Sequence, residues 1–168
     1  MIKNIPTAQS FYDAGKECLN LAWTMVYELV RWFKGADEWY GVDIEREERF
    51  WHAARRELLT ALTIAQQGVE LTLKGKIADV SPFLLITNFT EKAKLDGVDY
   101  GVFYTINESD IIKACSCISS TPLDEEVRNK FNEFRLLRNE VMHTDSIKFK
   151  DALDIKNLAK KIVGYIYE

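Results

Sequence analysis

The sequence predicts an all-α fold, a bundle of four to five helices interrupted by a short irregular or extended insertion near residues 76–107. Three observations carry that reading. Apolar residues recur at i, i+3, i+4 and i+7 through most of the chain. Glycines and a Thr-Pro pair punctuate those runs where helices would stop or start. Of 168 residues 47% are hydrophobic, enough to bury one core and too many for a disordered chain. No repeat, low-complexity tract or linker divides the sequence, so residues 1–168 read as a single domain.

The first helix is expected over 10–33, where Phe11, Ala14, Cys18, Leu21, Met25 and Leu29 form a stripe that Ala22, Trp32 and Phe33 extend. Gly35 is its expected stop, with a loop over 37–42. A second helix is expected over 44–74. It opens on Glu45, Glu47 and Glu48, which suit the positive end of a helix dipole, and closes at Gly75. On its wheel Phe50, Ala54, Leu58, Ala61 and Leu62 share a face with Ala65, Gly68 and Val69. The small residues in that row admit close approach by another helix.

Ser81-Pro82 predicts a short helical turn over 83–86, and Asp96-Gly97 a turn. Val98, Tyr100, Val102 and Tyr104 alternate as in an extended segment, either a short strand pair or an ordered loop. A short helix follows over 109–118. Thr121-Pro122, with acids at 124–126, is the strongest helix start in the chain, for a helix running to His143. After a break at 144–148, Leu153, Ile155, Leu158, Ala159, Ile162, Val163 and Ile166 mark a last helix.

Composition narrows the function classes. Lys and Arg number 22 against 26 Asp and Glu, a net charge of −4, which argues against a nucleic-acid coat or an anionic-membrane binder. No apolar run approaches the roughly 18 residues of a membrane span, and the N-terminal residues lack a signal-peptide pattern. A cytoplasmic protein without a membrane partner is therefore expected. Cys18, Cys115 and Cys117 lack zinc or redox spacing and read as idle thiols. With only His52 and His143 present, neither a histidine-rich metal site nor a cofactor is expected.

The helix over 122–143 departs from core-in, charge-out patterning. Val127, Phe131, Phe134, Leu137, Val141 and Met142 cluster on one arc of its wheel. Arg138 falls inside that arc, where an always-charged guanidinium is unfavourable unless paired. The opposite side carries Arg128, Asn132, Arg135, Asn139 and His143, with Leu136 pointing outward beside them. Arginine offers fixed donors suited to phosphate, and a histidine can exchange a proton near neutral pH. Asparagine can hold a ligand or orient the imidazole. These three types suffice for metal-independent RNA cleavage through the 2′-hydroxyl, with a symmetric dimer supplying a second histidine. Two structural alternatives stand beside this. Arg138 could pair with Glu57, which also falls on an apolar arc, and His143 could simply be a C-terminal cation favoured by the helix dipole. Arg-x4-His arises by chance about 0.1 times per chain of this composition, so spacing alone decides little.

The stretch Phe134-Arg135-Leu136-Leu137-Arg138-Asn139-Glu140-Val141-Met142-His143 resembles the signature of the HEPN superfamily: Arg, a polar residue, then His after four to six positions. Gln67 to Lys74 followed by Ser81 to Ile86 resembles that family's second helix and the turn after it, so the likeness covers roughly 57–165. The resemblance implies a dimerising HEPN-like bundle with the motifs of two copies meeting at the interface. It implies a metal-independent endoribonuclease that leaves a 2′,3′-cyclic phosphate, in a toxin or antiviral-defence role, with a possible antitoxin or regulatory partner. Arg138 would bind the scissile phosphate, His143 would be general acid and base, and Asn139 their polar support. Arg135, Asn132 and Arg128 are further candidates for RNA binding, from the polar stripe alone. A non-catalytic HEPN-like module binding nucleotide or protein is the alternative. Asp145 stands where toxins of this family silenced by nucleotidyl transfer carry Tyr, which argues against that route of inhibition. His52 reads as a surface residue, Trp51 as core and Glu70 as solvated.

Overall fold

The computed structural model describes residues 2–40, 44–88, 97–119, 123–143 and 151–167. Among them run five α-helices: α1 (Ala8–Tyr40), α2 (Ile44–Val80), α3 (Glu108–Ile118), α4 (Glu125–His143) and α5 (Ala152–Tyr167). The strands β1 (Ile86–Asn88) and β2 (Tyr104–Thr105) are short and antiparallel, Ile86 opposite Thr105 and Asn88 opposite Tyr104 across an irregularity. The all-α class and the number of helices are those the periodicity predicts. No described helix is long and apolar enough to cross a membrane.

Several boundaries differ from expectation. α1 continues through Gly35 to Tyr40, and α2 through Gly75 to Val80. Glycine inside a helix costs about 1 kcal/mol relative to alanine, which packing readily outweighs. α4 begins at Glu125 rather than at Pro122. Asp124 caps it, its carboxylate accepting the Glu126 N–H at 2.8 Å and its carbonyl the Arg128 N–H at 3.1 Å. Thr121 and Pro122 themselves, the break at 144–148 with Asp145, and positions 41–42 of the expected loop lie outside the described residues. Leu21 and Trp32, expected in the first stripe, are exposed, and Val26 is buried instead.

The chain divides into two units. The first comprises Met1–Lys16 and Gly68–Arg128. Here α1 approaches α2 closely: a Cβ at Gly15 would lie 2.7 Å from the Thr72 hydroxyl and 2.8 Å from the Gly68 carbonyl. One at Gly75 would meet the Tyr12 ring at 2.7 Å, so Gly75 serves close approach, not termination. The Tyr12 hydroxyl donates to Asp79 at 2.5 Å, and burial together with that carboxylate pushes its pKa up to about 12. Ser81 caps a 3₁₀ turn over Pro82–Leu85, accepting the Phe83 N–H. The aromatic segment resolves into a second 3₁₀ turn, Tyr100–Val102, and strand β2. Tyr100 is buried and donates to the Pro82 carbonyl at 2.7 Å. Asn107 caps α3 by accepting the Asp110 N–H.

The second unit comprises Glu17–Gln67 and Asn129–Glu168. Ala54, Leu58, Ala61, Leu62 and Ala65 of α2 are buried, as the small-residue row predicts. α5 contributes Ile155, Leu158, Ala159 and Ile162; α4 contributes Phe131 and Phe134. Tyr165 stacks on Phe134, centroids 3.8 Å apart and rings within 9° of parallel, and donates its hydroxyl to the Gln66 side chain at 2.7 Å. Gln66 is 1% exposed, so this bond satisfies an amide oxygen that water does not reach. On α4 the apolar arc is only partly core: Val127 is 38% exposed and Met142 63%, because each lies near an end of the helix.

Three substitutions test this packing by denaturant unfolding. Gly15→Ala is expected to destabilise by about 1–3 kcal/mol through overpacking, whereas Gly164→Ala, with nothing within 4 Å of its Cβ, should stabilise by about 0.4–1 kcal/mol. Tyr165→Phe keeps the ring stack but leaves the Gln66 oxygen buried without its donor. A loss of about 1–3 kcal/mol is expected, with the unfolding slope unchanged.

Candidate functional site

The C-terminal half of α4 carries the residues singled out by the sequence. Alternating apolar and polar positions at helical spacing bury Phe131 and Phe134 and leave the next positions part-covered. Arg138 and Asn139 are half-buried, and His143 is the last residue of α4, its side chain outside the described set. Arg138 is thus not a core residue. Its Nε is buried while the residue as a whole keeps part of its surface, the usual arrangement for a stem packed on apolar neighbours. Glu57 is exposed, at odds with a buried Arg138–Glu57 pair.

The polar stripe is only partly assembled. Asn132 is exposed, and Arg135 is half-buried with an Nε that donates to no described group. Arg128 belongs to the first unit. Leu136 is 54% exposed, as its outward position predicts.

Beside this helix end lies a groove of about 520 Å³ that sequence reasoning does not pick out. One wall is a face of α2 at helical spacing: His52, Arg55 and Arg56 in one turn, then Leu59, Thr60, Thr63 and Ile64. The other is Val141 and Met142, at the end of α4. Arg138 precedes Val141 and Met142 by three and four residues, one turn or roughly 5–6 Å of rise along the same helix. The only sequence signal for the groove is that Leu59 and Ile64 interrupt an otherwise polar face; His52 is exposed and Trp51 buried, as expected.

Neither Arg55 nor Arg56 forms an ion pair with a described carboxylate, and the Arg55 Nε is buried without a described acceptor. Thr60 and Thr63 donate their hydroxyls to the Arg56 and Leu59 carbonyls, at 3.0 Å each, which leaves their oxygens as acceptors.

A second cavity of about 510 Å³ lies among Val30, Phe33, Trp51, Ala159 and Val163, with Lys34, Lys156 and Lys160. Lys156 is engaged there. It donates to Glu47 at 2.8 Å and sits 5.7 Å from the Phe33 ring centre. The Lys156 ammonium beside it holds the Glu47 carboxyl below the ordinary 4.5. Glu70, expected to be solvated, is instead largely covered and pairs with Lys74 at 2.6 Å. Burial pushes the Cys115 thiol up; Cys18 is half-buried and Cys117 exposed. Among the described residues no group of three His, Cys, Asp or Glu side chains is placed to hold a metal ion.

No family model matches the chain, and neither a search of curated proteins nor one of solved structures finds a match.

The Glu47–Lys156 bridge makes stability pH-dependent with a defined sign. Because the folded carboxyl titrates below 4.5, its contribution is fully present above that pH and is lost as pH falls through the folded value. In thermal melts between pH 3 and 7, Glu47→Gln is expected to flatten part of the acid-side decline, while leaving the alkaline side unchanged.

Proposed function

We propose that this chain is an endoribonuclease of the HEPN type, acting as a homodimer without a metal ion and leaving 2′,3′-cyclic phosphate ends. The observation that supports it best is the placing of Arg138, Asn139 and position 143 within the last turn and a half of α4, beside an open groove. The guanidinium of Arg138 is held by its packed stem, so little freedom is lost when it binds a phosphate.

The chemistry follows from the residue types. His143 takes the 2′-hydroxyl proton, and the 2′-oxygen attacks the adjacent phosphorus. The charge that builds on the phosphorane is stabilised by Arg138. The bond to the 5′-oxygen breaks as an imidazolium protonates it, leaving a cyclic phosphate and a 5′-hydroxyl. Asn139 orients the imidazole or a phosphate oxygen.

One copy supplies a single histidine from this helix end. Five residues of helix also set positions 138 and 143 roughly 140° apart around the axis, so a single copy does not readily aim both at one phosphate. Two copies related by a two-fold axis provide a base, an acid and two guanidinium groups. In a cell this activity fits a toxin or antiviral-defence effector held in check by an antitoxin or regulatory partner.

With total RNA in EDTA, wild type is expected to produce fragments with 2′,3′-cyclic phosphate ends. Arg138→Ala and His143→Ala should each slow cleavage by about 10²–10⁴-fold, with circular dichroism and sedimentation unchanged. Equal rates for wild type and His143→Ala would sink the catalytic assignment. RNA binding without cleavage by any variant would instead favour a non-catalytic module.

A further inference from the structure

The groove between α2 and the end of α4 contains residues that the proposed cleavage chemistry does not use. We infer that it is a nucleotide subsite for single-stranded RNA, holding the nucleotide next to the one cleaved; this rests on the endoribonuclease reading above. Arg55 and Arg56 take a backbone phosphate, and Leu59, Ile64, Val141 and Met142 take the face of a base.

Charge is the first argument. Arg55 and Arg56 are adjacent, line the same groove and have no described carboxylate partner, so two positive charges meet there in a chain of net charge −4, with His52 in the same turn. The buried Nε of Arg55 means that its stem is packed, so its guanidinium is presented rather than free to sweep. An ordered guanidinium gives bidentate phosphate contacts at a small entropic cost.

Shape and polarity are the second. At about 520 Å³ the groove falls within the roughly 300–1,000 Å³ of small-ligand sites, room for one nucleotide. Its apolar residues include Met142 at 63% exposure, a large hydrophobic surface left uncovered at the groove's edge. The Thr60 and Thr63 oxygens can accept from base amino or ribose hydroxyl groups, because their own protons are engaged with the helix. Cationic groups beside a surface that packs on base faces are the general recipe for single-strand binding.

Position is the third. Arg138 lies one helical turn from the groove on α4, and successive phosphates of a single strand are spaced by a similar distance. A strand with its scissile phosphate on Arg138 therefore brings a neighbouring nucleotide to Val141 and Met142, the α4 wall of the groove that Arg55 and Arg56 line from α2. An acidic peptide could use the two arginines, but it would leave the threonine acceptors and the apolar wall with less to do.

The test is fluorescence anisotropy with a labelled single-stranded 2′-O-methyl RNA 12-mer, which binds without being cleaved. The wild-type chain and Arg55→Ala/Arg56→Ala are titrated across a series of salt concentrations. The double variant is expected to bind about tenfold or more weakly at 0.1 M salt, and its log-affinity against log-salt slope should shrink by about 1.4, the loss of two phosphate contacts to a single strand. Arg55→Lys/Arg56→Lys should keep the slope. If the double variant fails to fold, the exposed Arg56→Ala alone is expected to lower the slope by about 0.7.

Unchanged affinity and slope in the variants overturn the subsite. Loss of dimerisation with unchanged RNA affinity also overturns it, and assigns the groove to the second copy. The outcome is separable from the catalytic reading. Cleavage that survives in Arg55→Ala/Arg56→Ala at the wild-type rate overturns the subsite alone. Absence of cleavage in wild type with the predicted binding losses intact overturns the nuclease and leaves the groove as an RNA-binding site.

Discussion

A single buried hydrogen bond organises the second unit. The Tyr165 hydroxyl reaches the Gln66 amide oxygen at 2.7 Å, and the same ring lies flat on Phe134 at 3.8 Å. One α5 residue thereby fixes α2 by a directional polar contact and α4 by ring stacking. In an apolar interior a hydrogen bond allows few orientations, whereas aliphatic contacts tolerate sliding. The groove beside the end of α4 depends on that constraint, because its two walls belong to the two helices that Tyr165 ties together.

That arrangement reconciles an acidic protein with the proposed RNA substrate. A global charge of −4 governs long-range steering and disfavours a protein that coats nucleic acid. Binding at one phosphate is governed by the nearest few charges. Arg55 and Arg56 line a groove closed by Val141 and Met142, one turn beyond Arg138 on α4, and the two are not neutralised by described carboxylates. Local and global charge therefore act on different aspects of recognition.

Much of the fold was legible because helical periodicity reports burial directly. The small-residue face of α2 and the buried residues of α5 follow the wheel. Glycine is where local pattern and structure part most. At Gly35 and Gly75 a residue that can end a helix instead sits inside one, and at Gly75 the reason is the Tyr12 ring, a partner 63 residues away. Arg138 was recognisable as an anomaly, yet its half-buried state was not, since a wheel does not say how far along α4 the cover of other helices extends. His52 reads from the sequence as an ordinary surface residue, and Arg55 and Arg56 carry no local signal of their own. Their grouping with Val141 and Met142 joins segments more than 80 residues apart, and no local pattern encodes that.

By itself the sequence determined the all-α class, the location of most helices, and the segment in which Arg138, Asn139 and His143 fall. These are consequences of short-range spacing, which a chain carries whether or not it is folded. Tertiary structure alone decided which glycines are contacts, which apolar residues of α4 stay uncovered, and that a basic face of α2 borders its end. Those depend on which distant surfaces meet, and burial is a property of the assembled pair.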